Sequence, residues 1–206
     1  MWCGMAELYL IRHGESCRSS GEHYSEEKRT MDPPLTPAGM EQARQLAERL
    51  QGVHFDRIYS SDLDRASQTA RILGASVNAE VVIKEGLREI DMGELWRKRP
   101  WSDFPELHAK WVLHEEDIPY PGGENGGDVW CRCKPLIDEI VLTDRRAAIV
   151  CHGGTIRAMV CGMLDIPQQK RFYLGLPPVN CSISIVVHRE ERFFLHSFND
   201  GAHITG

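Results

Sequence analysis

The sequence has few of the features that mark a membrane, secreted or nucleic-acid-binding protein. Across its 206 residues, 24 Lys and Arg are outnumbered by 30 Asp and Glu, so the formal net charge is -6. Phosphate backbones and anionic lipids attract basic surfaces, so we expect neither a nucleic-acid nor a membrane partner. The sequence also lacks a signal-peptide pattern and any apolar run of membrane-spanning length.

Cysteine occurs, but in no pattern that builds a cross-linked fold or a metal site. The seven Cys are scattered and odd in number, which is typical of a reducing compartment and predicts a cytoplasmic location. The one close pair is Cys131-Arg132-Cys133, and a zinc site would need a second pair at ligand spacing. We therefore expect no metal and no other cofactor.

Two apolar runs each end in histidine followed by glycine. The first is residues 8–11, which lead into Arg12-His13-Gly14, and the second is residues 147–151, which lead into His152-Gly153-Gly154. Such runs are typical of strands buried on both faces, and the carboxyl ends of these strands line the ligand crevice of open α/β sheets. One histidine at a strand end is commonly structural, whereas two strands with the same ending favour a functional site.

Strands and helices alternate along most of the remaining chain. Helical spacing of apolar residues follows Thr36-Pro37, Ser60-Ser61-Asp62, Asn125 and His152. Ser60-Ser61-Asp62 supplies cap candidates for the second of these helices, which is expected to end before Gly74. Short strands are predicted over 55–59 and 81–83. Met40 is predicted on the apolar face of the helix that follows Thr36-Pro37. Pro135 predicts a kink or a late start in the helix that follows Asn125. A final hairpin is predicted from strands 180–187 and 192–198 around residues 188–191.

This alternation predicts parallel pairing with right-handed crossovers, and the final hairpin predicts an antiparallel edge. The predicted fold is therefore a three-layer α/β/α sandwich with a mostly parallel central sheet. We expect residues 1–206 to form a single domain. Within it, residues 96–121, which are rich in Trp and Pro, are predicted to form a small, partly helical cap over the site.

If the two histidine-ending strands are neighbours, Arg12, His13 and His152 converge at one point, and Arg65 reaches it from the start of its helix. Such a cluster needs an anion to be stable, and guanidinium groups match phosphate oxygens. Amides of the helix that begins at Gly153 would add donors. A neutral histidine in line with phosphorus is a competent nucleophile, and the other cations spread the charge that develops on the phosphoryl oxygens, so no metal is required.

The leaving alcohol in such a reaction needs a proton, which a carboxylic acid beside the phosphate can supply. Glu89 is the first candidate for this acid and Asp91 the second. Both follow the predicted strand at 81–83, within Leu87-Arg88-Glu89-Ile90-Asp91.

Arg12-His13-Gly14-Glu15 resembles the RHGE motif of the histidine phosphatase superfamily, which is also called phosphoglycerate mutase-like. The similarity continues in the family's order through Leu35-Thr36-Pro37-Ala38-Gly39, Tyr59-Ser60-Ser61-Asp62-Leu63-Asp64-Arg65-Ala66, Leu87-Arg88-Glu89, Pro121-Gly122-Gly123-Glu124 and His152-Gly153-Gly154. This resemblance implies that His13 is phosphorylated, that Arg12, Arg65 and His152 hold the phosphate, and that Glu89 acts first as acid and then as base. The further substrate-binding candidates are Gly14, Ser19, Gly153 and Glu124.

Some positions depart from the family pattern or keep two interpretations. Ser19 stands where the family often has an Asn that contacts the phosphate. Glu124 is either a position near the pocket or a charge at a helix start. Arg97-Lys98-Arg99 is either a solvated run of charge or a source of positive potential for a second anionic group on the substrate.

Within this family the resemblance favours a phosphatase over a mutase. The stretch between Glu89 and His152 is shorter than in cofactor-dependent phosphoglycerate mutases, whose longer insertion encloses the phosphoenzyme. A more open pocket would let water resolve the phosphohistidine. We therefore expect a hydrolase of a small phosphate ester of the sugar phosphate, phosphoglycerate or α-ribazole phosphate type. The alternatives are phosphoglycerate mutase-type transfer and a noncatalytic phosphate-binding module; the oligomeric state is left open.

Overall fold

A computed structural model describes residues 4–17, 24–27, 30–97, 99–175 and 178–205. Short 3-10 turns occur at Glu85–Leu87, Gly93–Leu95, Trp101–Asp103 and Gln168–Tyr173. In chain order the strands and α-helices are β1 (Ala6–Arg12), β2 (Tyr24–Ser25), β3 (Thr30–Met31), α1 (Pro37–Arg49), β4 (Arg57–Ser60), α2 (Asp64–Val77), β5 (Val81–Ile83), α3 (Pro105–Trp111), α4 (Gly126–Thr143), β6 (Arg146–Cys151), α5 (Gly153–Met163), β7 (Ile183–Arg189) and β8 (Arg192–Asp200).

In the described parts of the chain, the main sheet has six strands in the order β5-β4-β6-β1-β7-β8. The pairs β5-β4, β4-β6 and β6-β1 are parallel, and β7 and β8 continue the sheet with antiparallel pairing. The predicted parallel sheet with an antiparallel edge is therefore confirmed. In the register of β1 and β6, Arg12 lies opposite Cys151, so the next residues of the two strands leave the sheet side by side.

The sheet is covered on both faces, as its continuous apolar strands require. Side chains of β6 alternate between two cores: Ile149 packs in the core that contains α4 and α5, whereas Val150 packs in the core that contains α1 and α2. Both side chains are fully buried. The three-layer arrangement predicted from the sequence is therefore confirmed.

Helix α1 begins as its sequence predicts. The hydroxyl of Thr36 accepts the amide N–H of Gly39 at 3.0 Å, and Pro37 occupies the first turn, where its missing N–H costs no hydrogen bond. Gly39 permits a close approach to the strand end, because a Cβ at this position would lie 2.0 Å from the carbonyl oxygen of Glu15. Met40 was predicted on the buried face but is exposed, with a relative accessibility of 37%.

Helix α2 differs from its prediction at the start. The N-cap residue, Leu63, has no side chain that can cap the helix. The hydroxyl of Ser61 accepts the N–H of Leu63 at 3.2 Å, before the helix begins, and the carboxylate of Asp32 accepts the N–H of Asp64, the first helical residue, at 2.6 Å. The helix also passes Gly74 and runs to Val77, where Asn78 closes it in the left-handed region with φ of 53°.

Helix α4 contains Pro135 in its interior, so of the two predicted alternatives, a kink or a late start, the late start is wrong. Asn125 and Asp128 form a capping box that fixes the start of the helix upstream of the proline. Val129 and Ile137, on either side of the proline, are fully buried, and this packing offsets the hydrogen bond that proline removes.

The final hairpin is confirmed with a tighter turn than expected. Strands β7 and β8 extend to Arg189 and Arg192, and Glu190 and Glu191 make the turn with φ of 52° and 60°. Two positive φ values suit the right-handed twist of the flanking strands. None of the helices in the described ranges is long and apolar enough to cross a membrane.

Candidate active site

His13 and His152 face one another where β1 and β6 end. Their ring centroids lie 5.1 Å apart with an interplanar angle of 58°. His13 retains a relative accessibility of 6%, and His152 is fully buried. The parallel pairing of the two strands thus brings together the two histidines that the sequence predicts as partners.

The hydrogen bonds of His13 define which ring nitrogen carries the proton. Nδ1 lies 2.7 Å from the carbonyl oxygen of Gly14, which can only accept, so Nδ1 bears the hydrogen. Nε2 accepts from Nε of Arg65 at 3.2 Å. Because an arginine nitrogen can only donate, Nε2 holds a lone pair, as the predicted nucleophile must.

Arg65 lies in the first turn of α2 and is almost completely buried. Besides His13, its Nη1 donates to the carbonyl oxygen of Met31 at 2.7 Å. Burial lowers the pKa of this guanidinium from its ordinary 12.5, while the carboxylates of Glu89 and Asp32 act in the opposite direction. An arginine remains charged despite such a shift, so the site holds a buried cation beside the nucleophile.

Arg12 and the backbone of His13 are held by the segment that precedes β7. Nη1 of Arg12 donates to the carbonyl oxygen of Pro178. The side-chain amide of Asn180 donates to the carbonyl oxygen of His13 at 3.0 Å. Gly153 lies beside this arginine, because a Cβ built on it would be 3.7 Å from Nε of Arg12.

His152 is positioned by a residue that the sequence analysis interpreted only as a helix cap. Its Nε2 lies 3.0 Å from the hydroxyl oxygen of Ser61, which is also fully buried. Its Nδ1 has no hydrogen-bond partner among the described residues. Burial lowers the pKa of His152 well below its ordinary 6.5, and the neighbouring Arg65 and His13 lower it further, so the ring is neutral at physiological pH.

Glu89 reaches the same site from the loop after β5, at the N-terminus of α5. Its carboxylate accepts the amide N–H of Gly154 at 3.3 Å and that of Thr155 at 3.2 Å. A Cβ at position 154 would lie 2.6 Å from Oε1 of Glu89, so glycine is needed there for this approach. The amides at the start of this helix are predicted to face the phosphate, but those of Gly154 and Thr155 bind Glu89.

These groups surround one pocket with a volume of about 410 Å³. Four of the predicted residues contribute to its lining: Arg12, His13, Arg65 and Glu89. His152 lies beneath this surface. The other lining residues are Glu15, Ser16, Cys17, Met31, Pro33, Met92, Trp96 and Asn180.

The remaining predicted residues are placed differently. Both polar backbone groups of Gly14 are used within the protein, since its N–H donates to Thr69 at 3.1 Å and its carbonyl binds His13. A Cβ on Gly14 would lie 2.5 Å from the carbonyl oxygen of Gly39, so this glycine serves close packing. Ser19 lies outside the described residues.

Glu124 does not line the pocket that contains His13. It forms an ion pair with Arg132 at 2.8 Å and accepts the N–H of Asp91 at 2.9 Å, which favours a role in fixing the loop that carries Glu89. The side chain of Asp91 is itself engaged, because it accepts the N–H of Gly93 at 2.7 Å.

Arg97 and Arg99 are exposed, and both form ion pairs with Glu94. These contacts favour the interpretation of a solvated run of charge for the two arginines. Lys98 lies outside the described residues.

The comparison with protein families matches residues 8–201, nearly the whole chain, to the histidine phosphatase superfamily (branch 1). The chain belongs to the histidine phosphatase superfamily. The resemblance drawn from the sequence motifs is therefore confirmed. Members of this superfamily are phosphatases or mutases.

Two relatives from this superfamily illustrate that division. The chain is 32% identical to phosphoserine phosphatase 1 of Hydrogenobacter thermophilus, over 91% of this chain and 89% of the relative. It is 34% identical to a probable phosphoglycerate mutase of Enterobacter sp., over 90% of this chain and 86% of the relative. Among solved structures, the native mycobacterial glucosyl-3-phosphoglycerate phosphatase matches with a TM-score of 0.80 and 29% identity, over 95% of this chain and 99% of that one.

The histidine phosphatase site also uses residues that sequence reasoning missed. Ser61 lies within a motif that the sequence analysis quoted, but nothing local indicates that it contacts His152. Asn180 gives no signal at all, because it reaches His13 from a distant part of the chain. Trp96 was predicted as part of the cap, and it is the residue of the described part of 96–121 that lines the pocket.

Proposed function

We propose that this protein hydrolyses a small phosphate monoester through a phosphohistidine intermediate on His13. The observation that carries the proposal is the tautomer of His13, whose Nδ1–H is bound by the carbonyl of Gly14 and whose Nε2 lone pair lies at the pocket. Membership of a family of phosphatases and mutases, with phosphatases among its relatives, supports the reaction class.

In the first half-reaction, Nε2 of His13 attacks phosphorus, so that an N–P bond forms while the bond from phosphorus to the leaving oxygen breaks. Arg12 and Arg65 bind the phosphoryl oxygens and stabilise the charge that develops on them. The neutral His152 donates a hydrogen bond to the same oxygens. Glu89 gives its proton to the leaving alcohol.

In the second half-reaction, Glu89 takes a proton from water as the water oxygen attacks phosphorus. The N–P bond breaks, His13 recovers its lone pair, and inorganic phosphate leaves. This sequence returns every group to its starting state and uses cationic side chains for the charge stabilisation that a metal supplies elsewhere. We therefore propose that the reaction is independent of metals and needs no cofactor.

Two broader expectations are part of the proposal. We propose that the chain is one histidine phosphatase domain in which 96–121 covers the site, and Trp96 at the pocket wall supports this. We also propose a cytoplasmic location. The six described cysteines, Cys17, Cys131, Cys133, Cys151, Cys161 and Cys181, are all free thiols, and burial raises the pKa of Cys181 to about 12, as expected for unreactive thiols in a reducing environment.

The proposal is tested by phosphate release from p-nitrophenyl phosphate and from a panel of phosphorylated metabolites, with and without a chelator. We expect turnover that the chelator leaves unchanged, and an acid-labile, alkali-stable phosphoenzyme in rapid-quench samples. His13→Ala is expected to abolish both signals while the melting temperature remains close to that of the wild type. Turnover by His13→Ala, or chelator loss that one divalent ion restores, would contradict the mechanism.

The same panel separates the alternatives. A probable phosphoglycerate mutase among the relatives favours phosphoryl transfer as the second candidate, which predicts phosphate transfer to an added hydroxyl acceptor in place of release into water. A noncatalytic module predicts phosphate-ester binding without turnover and without a phosphoenzyme.

A further inference from the structure

We infer that the preferred substrate is a phosphate ester whose alcohol carries an apolar or aromatic body and no second anionic group. This inference rests on the proposed phosphatase function and concerns the part of the pocket away from the phosphate groups. Four apolar residues line the pocket there: Met31, Pro33, Met92 and Trp96. They come from two separate segments of the chain, and in the proposed complex they form a wall that faces the leaving group.

The first part of the wall is coupled to the phosphate-binding cation. Nη1 of Arg65 donates to the carbonyl oxygen of Met31 at 2.7 Å, so the guanidinium proposed to bind phosphate also fixes Met31 beside it. Pro33 follows two residues later and is buried, and its ring restricts the backbone. The alcohol portion of a bound phosphate ester therefore extends along these ordered apolar side chains.

The second part of the wall is fixed by a tight turn. Gly93 adopts φ of 53°, and a Cβ there would lie 2.2 Å from the carbonyl oxygen of Pro121, so the turn packs directly against the backbone at 121–123. Glu94 N–H donates to that carbonyl at 2.9 Å, and Trp96 N–H donates to the carbonyl of Gly93 at 3.1 Å. These bonds fix the backbone of the turn that carries Trp96, which lines the pocket.

The charges of the described pocket lining match an apolar leaving group. Its cations are Arg12 and Arg65, both of which the phosphate requires. Its carboxylates are Glu89 and Glu15, of which Glu15 is exposed. A second carboxylate or phosphate on the substrate would face apolar side chains and the carboxylate of Glu15, which is unfavourable. An apolar body would instead remove apolar surface of both the substrate and the protein from water. An ester of the phosphoglycerate type, which carries a carboxylate, therefore fits this wall least well.

The substrate test uses primary alkyl esters, because their leaving groups differ little in basicity and the comparison then reports binding at the wall. We would measure kcat/KM for 2-phenylethyl phosphate, ethyl phosphate and the phosphate ester of 3-hydroxypropanoate, with 3-phosphoglycerate and O-phosphoserine as natural anionic esters. The expected order places 2-phenylethyl phosphate first, about tenfold or more above ethyl phosphate and further above every carboxylate-bearing ester.

Variants locate the preference. Trp96→Ala is expected to lower the ratio of kcat/KM for 2-phenylethyl over ethyl phosphate by about tenfold. Trp101→Ala is the matched control, because Trp101 lies in the same segment, stacks on His108 at 4.8 Å and is not among the residues that line the pocket. This control is expected to keep the wild-type ratio.

Each result has a distinct meaning. Faster turnover of a carboxylate-bearing ester than of 2-phenylethyl phosphate would overturn the inference and leave the phosphatase proposal intact. If Trp96→Ala and Trp101→Ala change the ratio equally, Trp96 is not part of the wall that sets the preference. Failure of the folded wild-type protein to release phosphate from any ester would reject the proposed function itself.

Discussion

Nε of Arg65 donates to Nε2 of His13 over 3.2 Å, so the cation proposed to bind phosphate also binds the lone pair proposed to attack it. The reaction requires that phosphate oxygens take over this hydrogen bond before the lone pair can reach phosphorus. Arg65 therefore has two successive partners. In the protein without substrate it holds His13 in the correct orientation, and in the complex it holds the phosphate.

Arg65→Lys tests this exchange. Lysine keeps the charge but lacks the planar guanidinium that reaches both His13 and Met31, so kcat/KM should fall by about two to three orders of magnitude. Steady-state kinetics on p-nitrophenyl phosphate measure the loss. Arg71→Lys, in the same helix but outside the pocket lining, is the control and should keep wild-type kinetics. A mild effect of Arg65→Lys would show that charge alone suffices.

Glu89 and Asp91 can be separated by their dependence on the leaving group. Glu89 lines the pocket whereas Asp91 binds the N–H of Gly93, so Glu89→Gln should reduce hydrolysis of alkyl phosphates by about two orders of magnitude. The same variant should have a smaller effect on p-nitrophenyl phosphate, whose leaving group needs no proton. Asp91→Asn should affect both substrates alike. The reversed pattern would assign the acid role to Asp91.

Ser61 is expected to act as a positioning residue for His152. We predict that the Ser61 hydroxyl, which accepts the N–H of Leu63, donates its own hydrogen to Nε2 of His152, so that the ring proton lies on Nδ1. Ser61→Ala should lower kcat/KM about tenfold, as expected for one lost buried hydrogen bond. Nitrogen-15 NMR should show loss of the pure Nδ1–H tautomer, a change that a purely structural role would not cause, and Ser61→Thr should restore it. An unchanged tautomer in Ser61→Ala would contradict this role.

The depressed pKa of His152 makes stability depend on pH in a defined direction. Its folded-state pKa lies well below 6.5, so below pH 6.5 the unfolded chain binds a proton that the folded protein does not. Stability should therefore fall as the pH drops from about 6.5 toward the folded pKa. Urea unfolding at several pH values measures this slope, and His152→Gln should flatten it.

The contact between α5 and α4 predicts a packing defect. A Cβ on Gly162 would lie 2.1 Å from the ring of Trp130, so Gly162→Ala should lower the free energy of unfolding by about 1–3 kcal/mol. Gly153→Ala, in the same helix, meets its nearest atom at 3.5 Å and should cost less. In the double variant with Trp130→Ala, the Gly162→Ala penalty should largely disappear. Additive effects in this double-mutant cycle would show that the clash is not the cause.

The sequence predicts the sheet and the strand-end chemistry because both depend on local patterns. Apolar runs that end in His-Gly locate β1 and β6, and the motif order identifies the family. Contacts made across the chain could not be predicted. The link from Ser61 to His152 depends on how α2 enters the sheet, and that from Asn180 to His13 depends on the pairing of β1 with β7.

Errors at helix ends have the same origin. The rule that Ser or Asp caps a helix assigned Ser60-Ser61-Asp62 to the start of α2, but those side chains are used elsewhere: Ser61 binds His152 and Asp62 forms an ion pair with Arg88 at 2.6 Å. Pro135 was expected to limit α4, and tertiary packing on both sides of it outweighed its local preference. Local rules failed where the side chain is engaged in a tertiary contact or in the site.

The pairing of β1 has a consequence for how the enzyme is made. Of the six strands in the main sheet, this one is synthesised first, yet it lies between β6 and β7, and the carbonyl of His13, which follows it, accepts a hydrogen bond from Asn180. During translation β1 stays without its neighbouring strands until β6 and β7 emerge from the ribosome, more than a hundred residues later. Such distant pairing slows folding and leaves an apolar strand exposed to aggregation in the meantime. A nascent chain would contain His13 early, but it would gain the proposed activity only after β7 has been synthesised.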